Sequence, residues 1–161
     1  MRRGFMKTLF RYNWKIRDEW FDWCEQVSKE ELLRKRVGGV GGILHTLFHI
    51  VDVEYSWINL LQGKPEFNDP FTDFQSLEKV RSLSEAFHIE VTDFLNKWSD
   101  EMENYTISET RENGQIMTFT YGEILRHMIA HEIHHVGQLS VWARELDLRP
   151  VSANLIGKGL V

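Results

Sequence analysis

Four of the chain's seven histidines fall within nine positions, in the stretch His127-Met128-Ile129-Ala130-His131-Glu132-Ile133-His134-His135. On an α-helix, residues four apart lie on nearly the same face, so His127, His131 and His135 form a line that drifts only about 40° per step. Imidazole is the commonest protein ligand for zinc and also suits nickel, copper and iron. Two imidazoles stacked on one helix are therefore half of a metal site. His131 and His135 share their face with Leu125, Met128, Leu139 and Trp142, which turns the pair toward the core. His134, about 60° from His131, and His127, a turn away, read as neighbours with open roles. A third ligand must come from another segment, and His45 and His49 repeat the four-residue spacing amid Leu44, Leu47, Phe48 and Val51. Spacing alone leaves the choice between those two open. Three histidines with a free position are a catalytic-type arrangement, able to lower the pKa of a bound water or polarise a substrate oxygen.

Rival motifs fit less well. His131-Glu132-Ile133-His134-His135 matches H-E-x-x-H, in which the glutamate is the general base of a metalloprotease. The extended form wants Gly and His where this chain has Gln138 and Val141, and no glutamate follows Glu145. A di-iron bundle is suggested by Glu85-Ala86-Phe87-His88 and Glu132-Ile133-His134-His135, both Glu-x-x-His, but it leaves His49 and His131 unexplained. The run Val37-Gly38-Gly39-Val40-Gly41-Gly42 lacks both a preceding strand and a following Gly-Lys-Ser/Thr, so it reads as a flexible or closely packed loop rather than a phosphate cradle.

The elements that must position these residues follow from periodicity. Phe5, Leu9, Phe10, Trp14, Phe21 and Val27 predict an amphipathic first helix from Phe5 to about Val27. Ser28 with Glu31 predicts a capping box opening a short turn of helix. A second long helix runs from about Ile43 to Leu61 and stops at Gly63-Lys64-Pro65. A long connection over residues 64–77 leads to a third, from about Leu77 to Trp98. Alternating β-branched residues on either side of Asn113-Gly114 predict a small β-hairpin between Tyr105 and Thr120. Thr120 with Glu123 caps a fourth helix reaching about Leu146, and an irregular tail follows Pro150. The chain thus reads as all-α apart from that hairpin, with long inter-helix connections.

At 161 residues this is one domain, large enough to bury roughly 68–70% of its unfolded surface without staples, so a metal here is expected to be functional. A net charge of −5 with acids spread along the chain argues against a nucleic-acid partner. The lone Cys24 excludes an internal disulfide and any multi-thiolate site. Lys7, Arg11, Lys15, Arg17 and Asp18 break the first helix too often for a signal-peptide core or membrane span, so the expectation is a cytoplasmic protein with no membrane partner.

Three segments carry a family resemblance: Leu9-Phe10-Arg11-Tyr12-Asn13-Trp14; Thr46-Leu47-Phe48-His49-Ile50-Val51-Asp52-Val53-Glu54 with Trp57; and Leu125 through Gln138, which contains H-x-x-x-H-E-x-x-H. Together they resemble the DinB family within the DinB/YfiT-like superfamily of metal-dependent proteins. The resemblance implies a four-helix bundle with a non-trivial connection order, frequent homodimerisation, and one divalent ion (Zn, Ni, Fe or Mn) on His49, His131 and His135. The chain departs from the family at Val136, usually arginine, and at Asp147, often glycine. The first exchange is expected to remove a cation, and with it an anion-binding role, from beside the site. Some relatives are thiol-dependent transferases or isomerases in which the metal activates a low-molecular-weight thiol. The expectation is a metal-dependent enzyme of thiol-transfer or hydrolytic type acting on a small molecule, with Glu132 the candidate acid or base or equally a residue that orients a ligand or faces solvent, and with Gln138 and Tyr12 either lining the cavity or buried as hydrogen-bonding residues. The competing expectation is a non-catalytic, dimeric binding or stress-response protein, paired through its first helices, whose metal site is structural or vestigial.

Overall fold

The computed structural model describes residues 3–160, and it is mostly helical with one small antiparallel sheet. Helix α1 (Arg3–Cys24) buries Met6, Phe10, Asn13, Arg17, Trp20, Phe21 and Cys24 along one stripe. It ends before Val27 because the amides of Glu25, Gln26 and Val27 bond to carbonyls three residues back, closing a tight turn. Ser28 then caps the short α2 (Lys29–Leu33), accepting from the Glu31 amide. The other arm of the expected capping box does not form, because the Glu31 carboxylate pairs with Arg34 and Arg36.

Helix α3 (Ile43–Leu61) ends as its residues predict: Gly63 takes φ +66°, its amide bonds to Leu60 O, and the Lys64 amide returns to Asn59 O at 2.8 Å. The connection holds a four-residue 3-10 turn, Phe71–Phe74, too short for periodicity to betray. Phe71 and Phe74 bring their rings to 5.4 and 5.2 Å from Phe48, which fastens the crossover to α3. Helix α4 (Leu77–Lys97) starts at the Ser76 cap, and a second 3-10 turn, Asp100–Asn104, precedes the hairpin. Strands β1 (Thr106–Thr110) and β2 (Ile116–Thr120) pair with Ile107 opposite Phe119. The turn between the strands is Glu112-Asn113-Gly114, closed by the bond from the Arg111 amide to Gln115 O at 2.8 Å. The Gly114 amide bonds to Arg111 O and Gly114 takes φ +78°, giving a three-residue loop with glycine in the left-handed position.

Both arms of the Thr120/Glu123 capping box are present at the start of α5 (Tyr121–Glu145). At its other end Asp147 adopts φ 56° and the Leu148 amide reaches back to Ala143 O, so aspartate occupies the place where glycine usually ends the helix. α3 packs against α4 and α5, and α1 packs against α5 and α4. Two apolar clusters result, one around Trp20, Phe21, Leu44, Leu139 and Trp142 and one around Phe10, Ile58, Val91, Leu125 and Met128. On α3 Glu54, and on α5 His131, Glu132 and His135, fall between the stretches that feed these clusters, while His49 lies within the first stretch of α3, between Phe48 and Val51.

The irregular tail is tied to α1 by several side chains, among them Lys15, whose Nζ donates to Lys158 O at 3.3 Å. Tyr12 donates to Ala153 O, Trp23 Nε1 donates to Arg149 O at 2.9 Å, and Lys158 Nζ reaches both Glu19 oxygens at 2.7 and 2.8 Å. Among the described residues no helix is long and apolar enough to cross a membrane.

Candidate metal centre

α3 carries His49 and α5 carries His131 and His135 on facing sides. His131 Nε2 lies 3.1 Å from His49 Nε2 and 3.1 Å from His135 Nε2. Ligand atoms of all three residues fall within 4.8 Å of one another, so the three can hold a metal ion; among the described residues no other group of three or more histidine, cysteine or acidic side chains does so. Zinc–nitrogen bonds of about 2.0–2.1 Å place tetrahedral ligand nitrogens about 3.3 Å apart, and mutually perpendicular ones about 2.9 Å apart. The observed separations lie between these values.

Proton counting makes the same point from the other side. Gln138 Oε1, an acceptor, lies 2.7 Å from His135 Nδ1, which fixes the ring proton on Nδ1 and leaves Nε2 as a lone pair. His131 Nε2 carries at most one proton and cannot donate it to both neighbours, so at least one of the 3.1 Å contacts is not an ordinary hydrogen bond. Extra protons are disfavoured. Burial, then repulsion from the other imidazoles, pulls His49 down to about 4 and His131 down to about 3. Burial also lowers His135, partly offset by its bond to Gln138. Three neutral imidazoles directing lone pairs at one point form a donor set for a cation.

The other histidines lie outside this set. His45 stacks on Phe71 with rings 4.2 Å apart and 2° from parallel. His134 is exposed and meets Gln138 Nε2 at 3.3 Å. His127 is exposed and turns its ring toward Trp57. Trp57, Phe119, Ile124 and His127 line a cavity of about 310 Å³, one helical turn from His131. His88 packs edge-on against Trp14 at 4.3 Å, and with Glu85 lines a different cavity between α1 and α4, so the two Glu-x-x-His pairs do not share a site.

Glu132 is only 2% exposed, and both of its oxygens are taken by Arg17: Nε donates to Oε1 at 2.8 Å and Nη2 to Oε2 at 2.6 Å. Arg17 Nη1 also donates to Glu54 Oε1 at 3.0 Å, and Trp14 Nε1 donates to the other Glu54 oxygen at 3.0 Å. Burial pushes the Glu132 carboxyl above its usual range against the pull of the guanidinium, while the two carboxylates keep Arg17 charged despite its burial. Arg17 escaped the sequence reading, yet a signal exists: with Asn13 it occupies the buried stripe of α1 between Phe10 and Trp20, where an arginine needs acidic partners. Tyr12 is the buried hydrogen-bonding residue of its two expected roles, donating to Ala153 O in the tail, and Val136 lies in the apolar core with Ile16 and Trp20.

The model of the DinB family matches residues 1–158. A protein of Bacillus subtilis (strain 168), described as "Uncharacterized protein YizA", is 55% identical over 155 residues, which cover 96% of each chain.

Proposed function

This chain belongs to the DinB family, and from that premise we propose that His49, His131 and His135 hold one divalent ion through their Nε2 atoms. The supporting observation is the pair of 3.1 Å nitrogen–nitrogen contacts that one proton cannot serve. An ion on three imidazoles keeps open positions and supplies Lewis acidity, lowering the pKa of a water or thiol that reaches it. The residues divide the remaining work. Gln138 orients His135, and the Arg17–Glu132 pair fixes α5 beside His131, which favours a positioning role for Glu132 over that of a free base. The cavity beside His127 and Trp57 gives a small substrate room near the centre. The reaction class is thiol-dependent transfer to a small electrophile, or metal-assisted hydrolysis. Zn, Ni and Fe suit an imidazole donor set, and Mn, which favours oxygen ligands, suits it least of the four. We read α1, α4, α3 and α5, in that order around the core, as a four-helix bundle, which their pairwise packing supports.

The test is elemental analysis of untagged protein, as purified and after reconstitution with each of the four metals. One equivalent bound, and lost in His49→Ala, His131→Ala and His135→Ala, supports the proposal. Metal content near zero after every reconstitution overturns it. Loaded protein then enters a screen of thiols against electrophiles and hydrolysable esters, in which turnover above the His131→Ala background identifies the reaction.

A further inference from the structure

The glycine run has a specific contact. Gly39 sits at φ +50°, and a Cβ built on it would lie 2.3 Å from Gln138 Oε1, 2.9 Å from Cδ and 3.2 Å from Nε2. Any side chain at this position would overlap the carboxamide of Gln138. That carboxamide is the group that meets His135 Nδ1 at 2.7 Å and His134 Nε2 at 3.3 Å. The loop has little freedom to retreat: Trp142 Nε1 donates to Val37 O at 3.2 Å, the Arg36 amide bonds to Gly41 O at 2.7 Å, and Arg36 Nη1 pairs with Glu145 on α5 at 3.2 Å. The end of the Gln138 side chain, which is flexible, is the part that would move.

We infer that Gly39 is a positioning residue of the histidine centre: its missing side chain leaves the Gln138 amide the space from which it holds His135 as the Nδ1–H tautomer, with the Nε2 lone pair facing His131. The loop and the centre are thereby coupled through one side chain. Partners that orient a ligating histidine typically account for 10–100-fold in metal affinity. The functional meaning of this coupling rests on the proposed metal site. Its structural half, the tautomer of His135, needs no metal.

Gly38 supplies the internal control. It takes φ +97°, also in the region that penalises a side chain, but an added Cβ there meets nothing within 4 Å. The experiment compares the full chain with Gly38→Ala, Gly39→Ala, Gln138→Ala and the Gly39→Ala/Gln138→Ala double variant. Two quantities are read: the ring ¹⁵N shifts of His135 in metal-free protein at about pH 8, which report the tautomer, and the Zn²⁺ dissociation constant by chelator competition. Gly39→Ala and Gln138→Ala should each lose the Nδ1–H signature and weaken Zn²⁺ binding by about 10–100-fold. Gly38→Ala should change neither, and the double variant should be no weaker than Gln138→Ala alone. An unchanged His135 tautomer in Gly39→Ala overturns the inference, as does a double variant clearly weaker than Gln138→Ala. A Gly39→Ala chain that unfolds while the double variant folds supports it; if both unfold, the obstacle is not Gln138 and the inference falls. Absence of Zn²⁺ binding in every chain overturns the metal proposal alone, since the tautomer comparison still decides the coupling.

Discussion

His49 and His131 are 82 residues apart in the chain and 3.1 Å apart at their Nε2 atoms. Such proximity between two half-buried neutral imidazoles is what a shared cation relieves. Each single His→Ala change at 49, 131 or 135 is therefore expected to remove most bound metal while leaving the helical circular dichroism signal intact. His88→Ala and His127→Ala should retain full stoichiometry. Loss of metal in His88→Ala would instead favour a site between α1 and α4.

The metal-free chain should respond to acid in a defined sense. His49 near 4 and His131 near 3 lie below the ordinary value of 6.5. Between those values the unfolded state binds more protons than the folded one, so stability rises with pH across the window and falls as pH drops from about 6.5. The raised carboxyls of Asp18, Asp52 and Glu132 act in the opposite sense. The prediction is therefore a difference: between about pH 7 and pH 4.5, the urea midpoint of the parent falls more than that of His131→Gln. Equal slopes would show that the folded chain tolerates protonated imidazoles at this site.

Arg17 shares its guanidinium between Glu54 and Glu132. Arg17→Met leaves two buried carboxylates without their counter-charge and is expected to cost about 3–5 kcal/mol. Glu132→Gln keeps the shape and one acceptor and is expected to cost less, about 1–3 kcal/mol. Urea denaturation checks the order. Retention of one metal equivalent by Glu132→Gln would fit a residue that sets the position of α5 rather than one that contacts the ion.

Asp147 pays for a left-handed backbone that glycine adopts freely. Asp147→Gly is expected to stabilise the chain by about 0.5–1 kcal/mol, after allowance for the added freedom of the unfolded state. Thermal unfolding of the two proteins measures it, and a lower midpoint for the glycine variant would mean that the aspartate side chain contributes locally.

Local chemistry explains what could be read in advance. The ends of α3 and the start of α5 were legible because Gly63-Lys64-Pro65 and Thr120/Glu123 act through bonds within a few residues. α1 ends three residues before Val27, which keeps the apolar rhythm although the backbone has already tightened after Cys24. His131 and His135 were visible as a pair because helix geometry stacks them. The choice of His49 over His45 depended on how α3 faces α5, which no local spacing encodes, and it came from the family pattern. The Arg17–Glu132 pair spans 115 positions, and Gly39 against Gln138 is likewise a tertiary contact, so neither leaves a short-range trace.

The docking of α1 has a consequence for the order in which the chain can be assembled. Its main packing partners, α4 and α5, and the tail that binds Tyr12, Trp23 and Glu19 all lie in the later half or near-half of the chain. α1 is therefore held by contacts of long sequence separation, and while Trp20 and Phe21 can pack on Leu44 and Leu47 of α3 and Arg17 can pair with Glu54, the bond from Arg17 to Glu132 needs α5 in place. Such non-local contacts form more slowly than the helices themselves.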